Sequence, residues 1–146
     1  MSVTALAGAR RPAGYSEEEW KLRVELAACY RLIDHFGMTD LVYNHITARL
    51  PYEVDGKEVF LINGFGRHYT EITASNLLRV DIDGRSLDED DYPVNGPGYV
   101  IHSAIHHARH DVTCIIHTHS RAGCAVAALK DGLVPLDQQS MQFHRR

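Results

Sequence analysis

Two histidines separated by one residue are the first candidates for chemistry in this sequence. His117 and His119 close the segment CIIHTHS, in which a short apolar run gives way to polar residues. On a β-strand, residues i and i+2 project from the same face, so the two imidazoles would lie close enough to share one ion. Neutral imidazoles suit zinc and other divalent transition metals, but catalytic zinc takes three protein ligands and an open position. Spacing therefore leaves two interpretations open: part of a metal site, or polar residues at a turn.

The other histidines give weaker signals. The chain has 10 histidines, and most of them lie in the last third of the sequence. His102 and His106 have the i, i+4 spacing of a helical pair that can bind metal. His107 and His110 continue toward the end of the same expected helix, where an imidazolium would favour the helix dipole. Packing and solvation explain such histidines more often than ligation does. The isolated histidines, which we expect to be structural or solvent-facing, are His45, His68 and His144.

Composition favours one globular domain without a nucleic-acid surface. The 146 residues are enough for a single core, with 45% hydrophobic and 23% charged residues. The net charge is −4 and the sequence pI is about 6.2, so no basic surface argues for nucleic acid. No apolar run approaches the roughly 20 residues that a membrane helix needs.

Cysteine usage and the first residues predict a cytoplasmic protein. The first 20 residues lack the order of charges and apolar residues that defines a signal peptide. Three cysteines without close pairing suggest reduced thiols. We interpret residues 1–15 as a flexible arm, because Gly, Pro, Arg and Ala alternate there without a period.

The first half of the chain predicts a helix followed by strands. Ser16 and Glu19 form a capping-box pattern, and the helix behind it should end near Gly37. HITARL and KEVFLI then read as two strands around an Asp55-Gly56 hairpin turn. ITASNL suggests a helical turn capped by Thr73, and LLRVDIDG suggests a third strand.

The second half of the chain alternates helix and strand. YVIHSAIHHARH places apolar residues on one helical face, and VTCIIHTH has the composition of a buried strand. Ser120 can cap a helix that ends at Gly132, and VPLDQQSMQFHRR suggests the start of another strand. These elements predict an α/β layered domain over residues 16–146, with a central mixed, largely antiparallel sheet flanked by helices. We expect the domain to be incomplete at its C-terminus.

Several motifs in the expected order resemble the class II aldolase/adducin N-terminal family. The segment GYVIHSAIHHARHDVTCIIHTHS is similar to the family's central helix and the strand that ends in His-x-His-Ser. Upstream, LVYNHITARL and FLINGFGRHYTEITASNLLRVDIDG resemble its asparagine segment, its glycine loop and its VDLDG strand. The resemblance runs from about Trp20 to the end of the chain.

This resemblance implies a zinc-dependent chemistry and a homo-oligomer. Aldolase members of the family use zinc to stabilise an enolate during cleavage of sugar phosphates, usually as tetramers. His117 and His119 match two zinc ligands, whereas the family's third histidine would lie beyond Arg146. His144 comes too early in the pattern to replace it. We therefore expect zinc, or another divalent metal, to bind weakly here or not at all.

Other positions depart from the aldolase pattern. Gly98 occupies the place of the glutamate that transfers a proton, and glycine cannot do so. Gly96 and Pro97 replace two phosphate-binding serines, and Phe65 replaces a third hydroxyl. Fewer hydroxyls make a poorer phosphate site.

Two positions that help bind substrate in the family are retained, namely Asn44 and Gly66. The resemblance therefore favours the adducin-like branch, and activity as a sugar-phosphate aldolase is not expected. A small carbonyl substrate without phosphate remains open, and the proton shuttle is unassigned.

Two alternatives stand beside a metal-dependent enzyme. One is a binding or scaffold subunit of the adducin type, and the other is an inactive product of a truncated gene. Truncation would leave an apolar face and a strand edge open to solvent. We would then expect low solubility or dependence on partner subunits. Under each of these interpretations we expect no insertion into a membrane, because no apolar run is long enough.

Overall fold

A computed structural model describes residues 11–143 of the chain. It contains one sheet with a helix on each face, an α/β layered arrangement. The elements, in chain order, are helix α1 (Glu17–His35), strands β1 (His45–Val54) and β2 (Lys57–Asn63), a 3-10 helix (Tyr69–Glu71), strand β3 (Leu77–Asp81), helix α2 (Gly96–Ala108), strand β4 (Cys114–His117) and helices α3 (Arg121–Ala127) and α4 (Gln138–Met141).

Helix α1 begins and ends where its sequence predicts. The Ser16 hydroxyl accepts a hydrogen bond of 3.0 Å from the backbone N–H of Glu19, which satisfies one of the free donors of the first turn. The helix ends at His35, and Gly37 follows with a φ of 64°. Glycine takes this left-handed conformation without the steric cost of a Cβ atom.

The four strands form one sheet in the order β3-β2-β1-β4. Each neighbouring pair is antiparallel, which confirms the prediction of a largely antiparallel sheet. The predicted hairpin joins β1 and β2, with φ values of 53° at Asp55 and 73° at Gly56. A two-residue hairpin turn with positive φ at both central residues has a backbone twist that matches the twist of the paired strands.

Alternate residues of each strand point to opposite faces of the sheet. Ile46, Ala48 and Leu50 of β1 pack under α1, where Tyr30 of the helix is completely buried. On the opposite face, a second buried cluster lies beside α2, and its members are Phe60, Ile62, Leu78, Val80 and Tyr99. The period of two along β1 therefore turns its other residues toward α2.

Helix α2 packs on the sheet through Tyr99 and two histidines rather than through its aliphatic residues. His102 and His106 are buried, whereas Val100, Ile101 and Ile105 are exposed. The apolar residues that share one helical face therefore do not form the packed face of α2. The polar residues of β1 below the helix supply hydrogen bonds, so the histidine face is the one that meets the sheet.

Four further expectations from the sequence need correction. The short helix lies at Tyr69–Glu71, before Thr73, and α2 starts earlier than expected because Asn95 caps it. Strand β4 is half-exposed rather than buried, because it lies at the end of the sheet. The prediction of a further strand near the end of the chain is wrong for the described residues, up to position 143, where Asp137 and Ser140 cap helix α4 instead.

Helix α3 starts after Ser120 as predicted, but it ends at Ala127, before Gly132. All three cysteines, Cys29, Cys114 and Cys124, are free. None of the helices described between residues 11 and 143 is long and apolar enough to span a membrane.

Candidate functional site

The pairing of β1 with β4 brings the first site histidines together. His45 lies directly opposite His117 in this antiparallel pair, so both side chains project from the face covered by α2. Their rings are stacked, with centroids 4.8 Å apart. His119 follows His117 after the strand ends, and its ring meets that of His117 edge to face, with centroids 4.9 Å apart.

His117 and His119 direct the same ring nitrogen toward each other. Their Nε2 atoms are 2.9 Å apart, and the other nitrogen of His119, Nδ1, lies 2.9 Å from a carboxylate oxygen of Asp40. A carboxylate partner on Nδ1 holds the proton on that nitrogen and leaves Nε2 free as a ligand atom. Burial, and then the neighbouring His119, lower the pKa of His117, which favours the neutral form that a metal requires.

Asn44 fixes the loop that carries Asp40. Its side-chain oxygen accepts a hydrogen bond of 2.5 Å from the backbone N–H of Asp40. Leu41, in the same loop, has a φ of 49°, a conformation that non-glycine residues rarely adopt. The buried side chain of Asn44 therefore contributes to the site by positioning a backbone segment. Its amide nitrogen has no partner among the residues that the structure describes.

Gly66 has a different structural role. It lies in the loop after β2 with a φ of 106°, and a Cβ atom there would come within 3.1 Å of the Tyr92 ring. Both the conformation and the close approach require glycine. The β1–β2 register brings this loop to the end of the sheet where Asn44 lies.

His45 is buried between the other rings. Only 2% of the residue is exposed, and its ring centroid lies 4.3 Å from that of His102. Burial lowers the pKa of His45 to about 4, and the nearby His117 acts in the same direction. Neither ring nitrogen meets hydrogen-bond geometry with a described residue, although the backbone of Tyr43 and Gly98 lies near enough to favour the protonated form.

Thr47 holds the two histidines of α2 at once. Its hydroxyl oxygen lies 2.8 Å from Nδ1 of His102 and 3.0 Å from Nε2 of His106. Burial lowers the pKa of His102 to about 3 and that of His106 to about 4. The spacing of four residues thus serves helix packing, and one nitrogen of each ring is engaged with Thr47.

The donor chemistry at His117 and His119 fits a divalent metal, with two ligands. Two neutral imidazoles whose Nε2 atoms face each other match the preference of zinc for nitrogen. Within residues 11–143, however, no group of three or more His, Cys, Asp or Glu side chains is placed to hold one ion. The described part of the chain therefore supplies two ligands of a possible site.

Sequence reasoning did not find Asp40, Thr47 or the buried position of His45. Asp40 lies 79 residues before His119, and no local pattern connects them. His45 had one available signal, since it alternates with the apolar residues of β1 and so belongs to the opposite face. That signal identifies the face of the sheet on which the His45 side chain lies, but not the residues that it contacts there.

Comparison with known proteins identifies the family. Residues 24–146 match the family model of the Class II Aldolase and Adducin N-terminal domain, and the chain belongs to this family. It is 52% identical over 129 residues to a Pseudomonas aeruginosa protein named for aldolase class 2, covering 88% of this chain and 48% of that protein. Alpha-adducin of Rattus norvegicus is 46% identical over 131 residues, covering 88% of this chain and 17% of the adducin.

A solved structure extends this likeness to the fold. L-fuculose 1-phosphate aldolase from Glaciozyma antarctica PI12 is 32% identical, with a TM-score of 0.79, over 98% of this chain and 57% of that chain. The chain thus spans about half the length of the bacterial relative and of this structure. The family and the α/β fold that the sequence motifs indicate are both confirmed.

Proposed function

We propose that this domain contributes a divalent-metal site, built on His117 and His119, to a protein that acts on a small carbonyl compound without phosphate. The observation that carries the proposal is the 2.9 Å approach of the two Nε2 atoms, with Asp40 bonded to the far nitrogen of His119. A bound zinc ion would supply Lewis-acid polarisation of a carbonyl or enolate oxygen. Asp40 would orient His119, and the β1–β4 pairing would hold His117.

Several residues argue against cleavage of sugar phosphates by this domain. The start of α2 carries Gly96, Pro97 and Gly98, so no side chain there can transfer a proton or hydrogen-bond a phosphate. The Asn95 oxygen already accepts a hydrogen bond of 3.1 Å from the Gly98 N–H. No described residue is assigned as the acid or base.

Calorimetric titration with zinc tests the metal site. We expect weak 1:1 binding of zinc, because the described part of the chain provides only the imidazoles of His117 and His119 as ligands for one ion. His117→Ala and His119→Ala should each abolish the binding, while His107→Ala, which changes an exposed histidine on α2, should leave it unchanged. Zinc binding that survives both site substitutions would refute this assignment.

A cleavage assay tests the substrate class. L-fuculose 1-phosphate, the substrate named for one structural relative, should not be cleaved by the zinc-loaded protein. Aldol cleavage at a rate that depends on His117 would show that the missing hydroxyls and the glycine at position 98 do not prevent the reaction.

A non-catalytic binding or scaffold subunit is the second candidate. The similarity to alpha-adducin favours it. A purified protein that contains no metal but forms a stable oligomer would support this candidate over the first. A homo-oligomeric state and a cytoplasmic location both remain predictions under either function.

A further inference from the structure

Gly98, at the start of α2, lies against the ring of His45. A Cβ atom built at position 98 would come within 2.7 Å of Cε1, 2.8 Å of Nδ1 and 2.9 Å of Nε2 of that ring. Side-chain carbon atoms do not approach their neighbours so closely, so one of the two groups would have to move. The contact is specific to this position, because a Cβ atom at Gly96, two residues earlier on the same helix, would meet nothing within 4 Å.

The His45 ring has little freedom to move away. The ring of His45 contacts two other rings. Its centroid lies 4.3 Å from that of His102 and 4.8 Å from that of His117. The residue is almost fully buried, and its backbone is fixed by the β1–β4 ladder. Because the rings of His45 and His117 are stacked, a displacement of the His45 ring toward His117 would disturb this contact.

We propose that His45 is a positioning residue for His117, and that Gly98 is the glycine that makes room for it. This inference rests on the proposed metal site, since it states what holds one of the two ligands in place. The stacked ring of His45 limits the orientations of the His117 imidazole, in the way that outer-shell partners orient metal ligands.

The pair also accounts for the glycine at position 98. A side chain at that position and the His45 ring require the same space, so the two are mutually exclusive. The site has an imidazole at position 45 and no side chain at position 98. Introducing a glutamate at position 98 should therefore require the removal of His45.

A double-mutant cycle tests the steric pairing without any metal. Gly98→Ala should lower the midpoint of urea unfolding in the parent protein and have little effect in the His45→Ala background. Gly96→Ala is the matched control, and it should leave the midpoint unchanged or slightly raised in both backgrounds. Equal effects of Gly98→Ala in both backgrounds would overturn the pairing.

Ring contacts in the metal-free protein test the positioning of His117. Nuclear Overhauser effects between ring protons of His45 and His117 should be present in the parent and lost in Gly98→Ala. Their persistence in a folded Gly98→Ala variant would show that the glycine does not control the stacking, and it would overturn the proposal.

Zinc affinity provides a readout that a purely structural role would not change. His45→Ala should weaken zinc binding about tenfold in the folded protein. Gly98→Ala should weaken it similarly in the parent but add no further loss to His45→Ala. If the parent binds zinc and His45→Ala binds it equally well, the positioning role is wrong while the metal site stands.

If the metal site itself does not exist, the experiments give a result that differs from the failure of the positioning role alone. A parent protein that binds no zinc overturns the proposed function and, with it, the role of His45 in metal binding. The unfolding cycle and the ring contacts then decide whether His45 and Gly98 still form a steric pair. The double variant His45→Ala/Gly98→Glu is a control for general misfolding. We expect it to fold, whereas Gly98→Glu alone should not.

Discussion

At the scale of single residues, Tyr30 links helix α1 to the two central strands. Its hydroxyl donates to the Ile46 carbonyl at 2.6 Å or the Asn63 side-chain oxygen at 2.8 Å, and it accepts from the backbone N–H groups of both residues at 3.0 and 3.2 Å. The residue is completely buried, and burial raises the pKa of its hydroxyl well above the usual value. One polar atom therefore satisfies the ends of both strands.

Removing this hydroxyl should destabilise the domain. Tyr30→Phe leaves the buried N–H groups of Ile46 and Asn63 without their acceptor, which we expect to cost about 1–3 kcal/mol in the free energy of unfolding. Urea denaturation followed by circular dichroism measures the change. Tyr43→Phe, at an exposed tyrosine, is the control and should be neutral; an equally small effect at Tyr30 would contradict the role of this network.

Asp40 acts on the metal site through His119. Asp40→Asn should weaken the Nδ1 hydrogen bond that fixes the His119 tautomer, and zinc affinity should fall about tenfold by calorimetry. The stability of the fold should hardly change, because the two side chains are partly exposed, at 32% for His119 and 49% for Asp40. Glu25→Gln on α1 is a control for lost negative charge. Unchanged affinity in Asp40→Asn would mean that His119 needs no such partner.

At the scale of elements, α2 joins the sheet through neutral histidines. His106 contacts the Phe60 ring with centroids 4.3 Å apart, and Arg49 donates to the His106 backbone carbonyl at 3.0 Å. Nη2 of Arg49 lies 3.3 Å from Nδ1 of His106, so a positive charge already faces this ring. Protonation of either buried imidazole would therefore be unfavourable in this interface.

This arrangement predicts acid destabilisation. The folded pKa values of His102 and His106 are lowered from 6.5 to about 3 and about 4, by burial first and then by His45 and Arg49 respectively. The unfolded chain therefore binds more protons below pH 6.5. The stabilisation is fully present above pH 6.5 and is lost as the pH falls to about 4 for His106 and to about 3 for His102, at about 1.4 kcal/mol for each unit of depressed pKa.

Urea unfolding at pH values between 7.5 and 4.5 measures this dependence. His106→Gln should flatten the acid slope, while the control His107→Gln, at an exposed position of the same helix, should leave it unchanged. A stability that does not vary over this range would show that the histidines of α2 are not held in the neutral form.

At the scale of the whole molecule, the two edges of the sheet differ. The outer edge of β3 is covered, because Asp81 N–H donates to the Arg85 carbonyl and Leu87 N–H to the Arg79 carbonyl. No strand among residues 11–143 pairs with the outer edge of β4. Several large apolar residues of the second half are exposed, namely Ile116, Leu129, Leu133, Leu136, Met141 and Phe143.

An open edge beside exposed apolar side chains predicts self-association of this chain in isolation. Sedimentation velocity over a range of concentrations should detect oligomers, and Ile116→Lys on β4 should shift the distribution toward monomer. Val100→Lys, at an exposed apolar residue of α2, is the matched control and should have a smaller effect. A soluble monomer with a sharp cooperative melt would contradict this prediction.

Local signals predicted those elements that short-range interactions stabilise. The Ser16 cap, the Asp55-Gly56 turn and the Ser120 cap appear where the sequence places them, because a cap or a tight turn is satisfied within a few residues. The burial of β4 was wrongly predicted, and the packed face of α2 was not predicted. Which face of a helix packs, and whether a strand lies at an edge, depend on elements that are distant in the sequence.

The sequence by itself determined the family, the largely antiparallel α/β fold and the pairing of His117 with His119. Motif order and residue spacing are properties of the chain, and they need no knowledge of contacts. Only the tertiary structure brought Asp40 to His119, stacked His45 on His117 and set Gly98 against His45. Those contacts join residues up to 79 positions apart, and the register of β1 with β4 and the docking of α2 decide them.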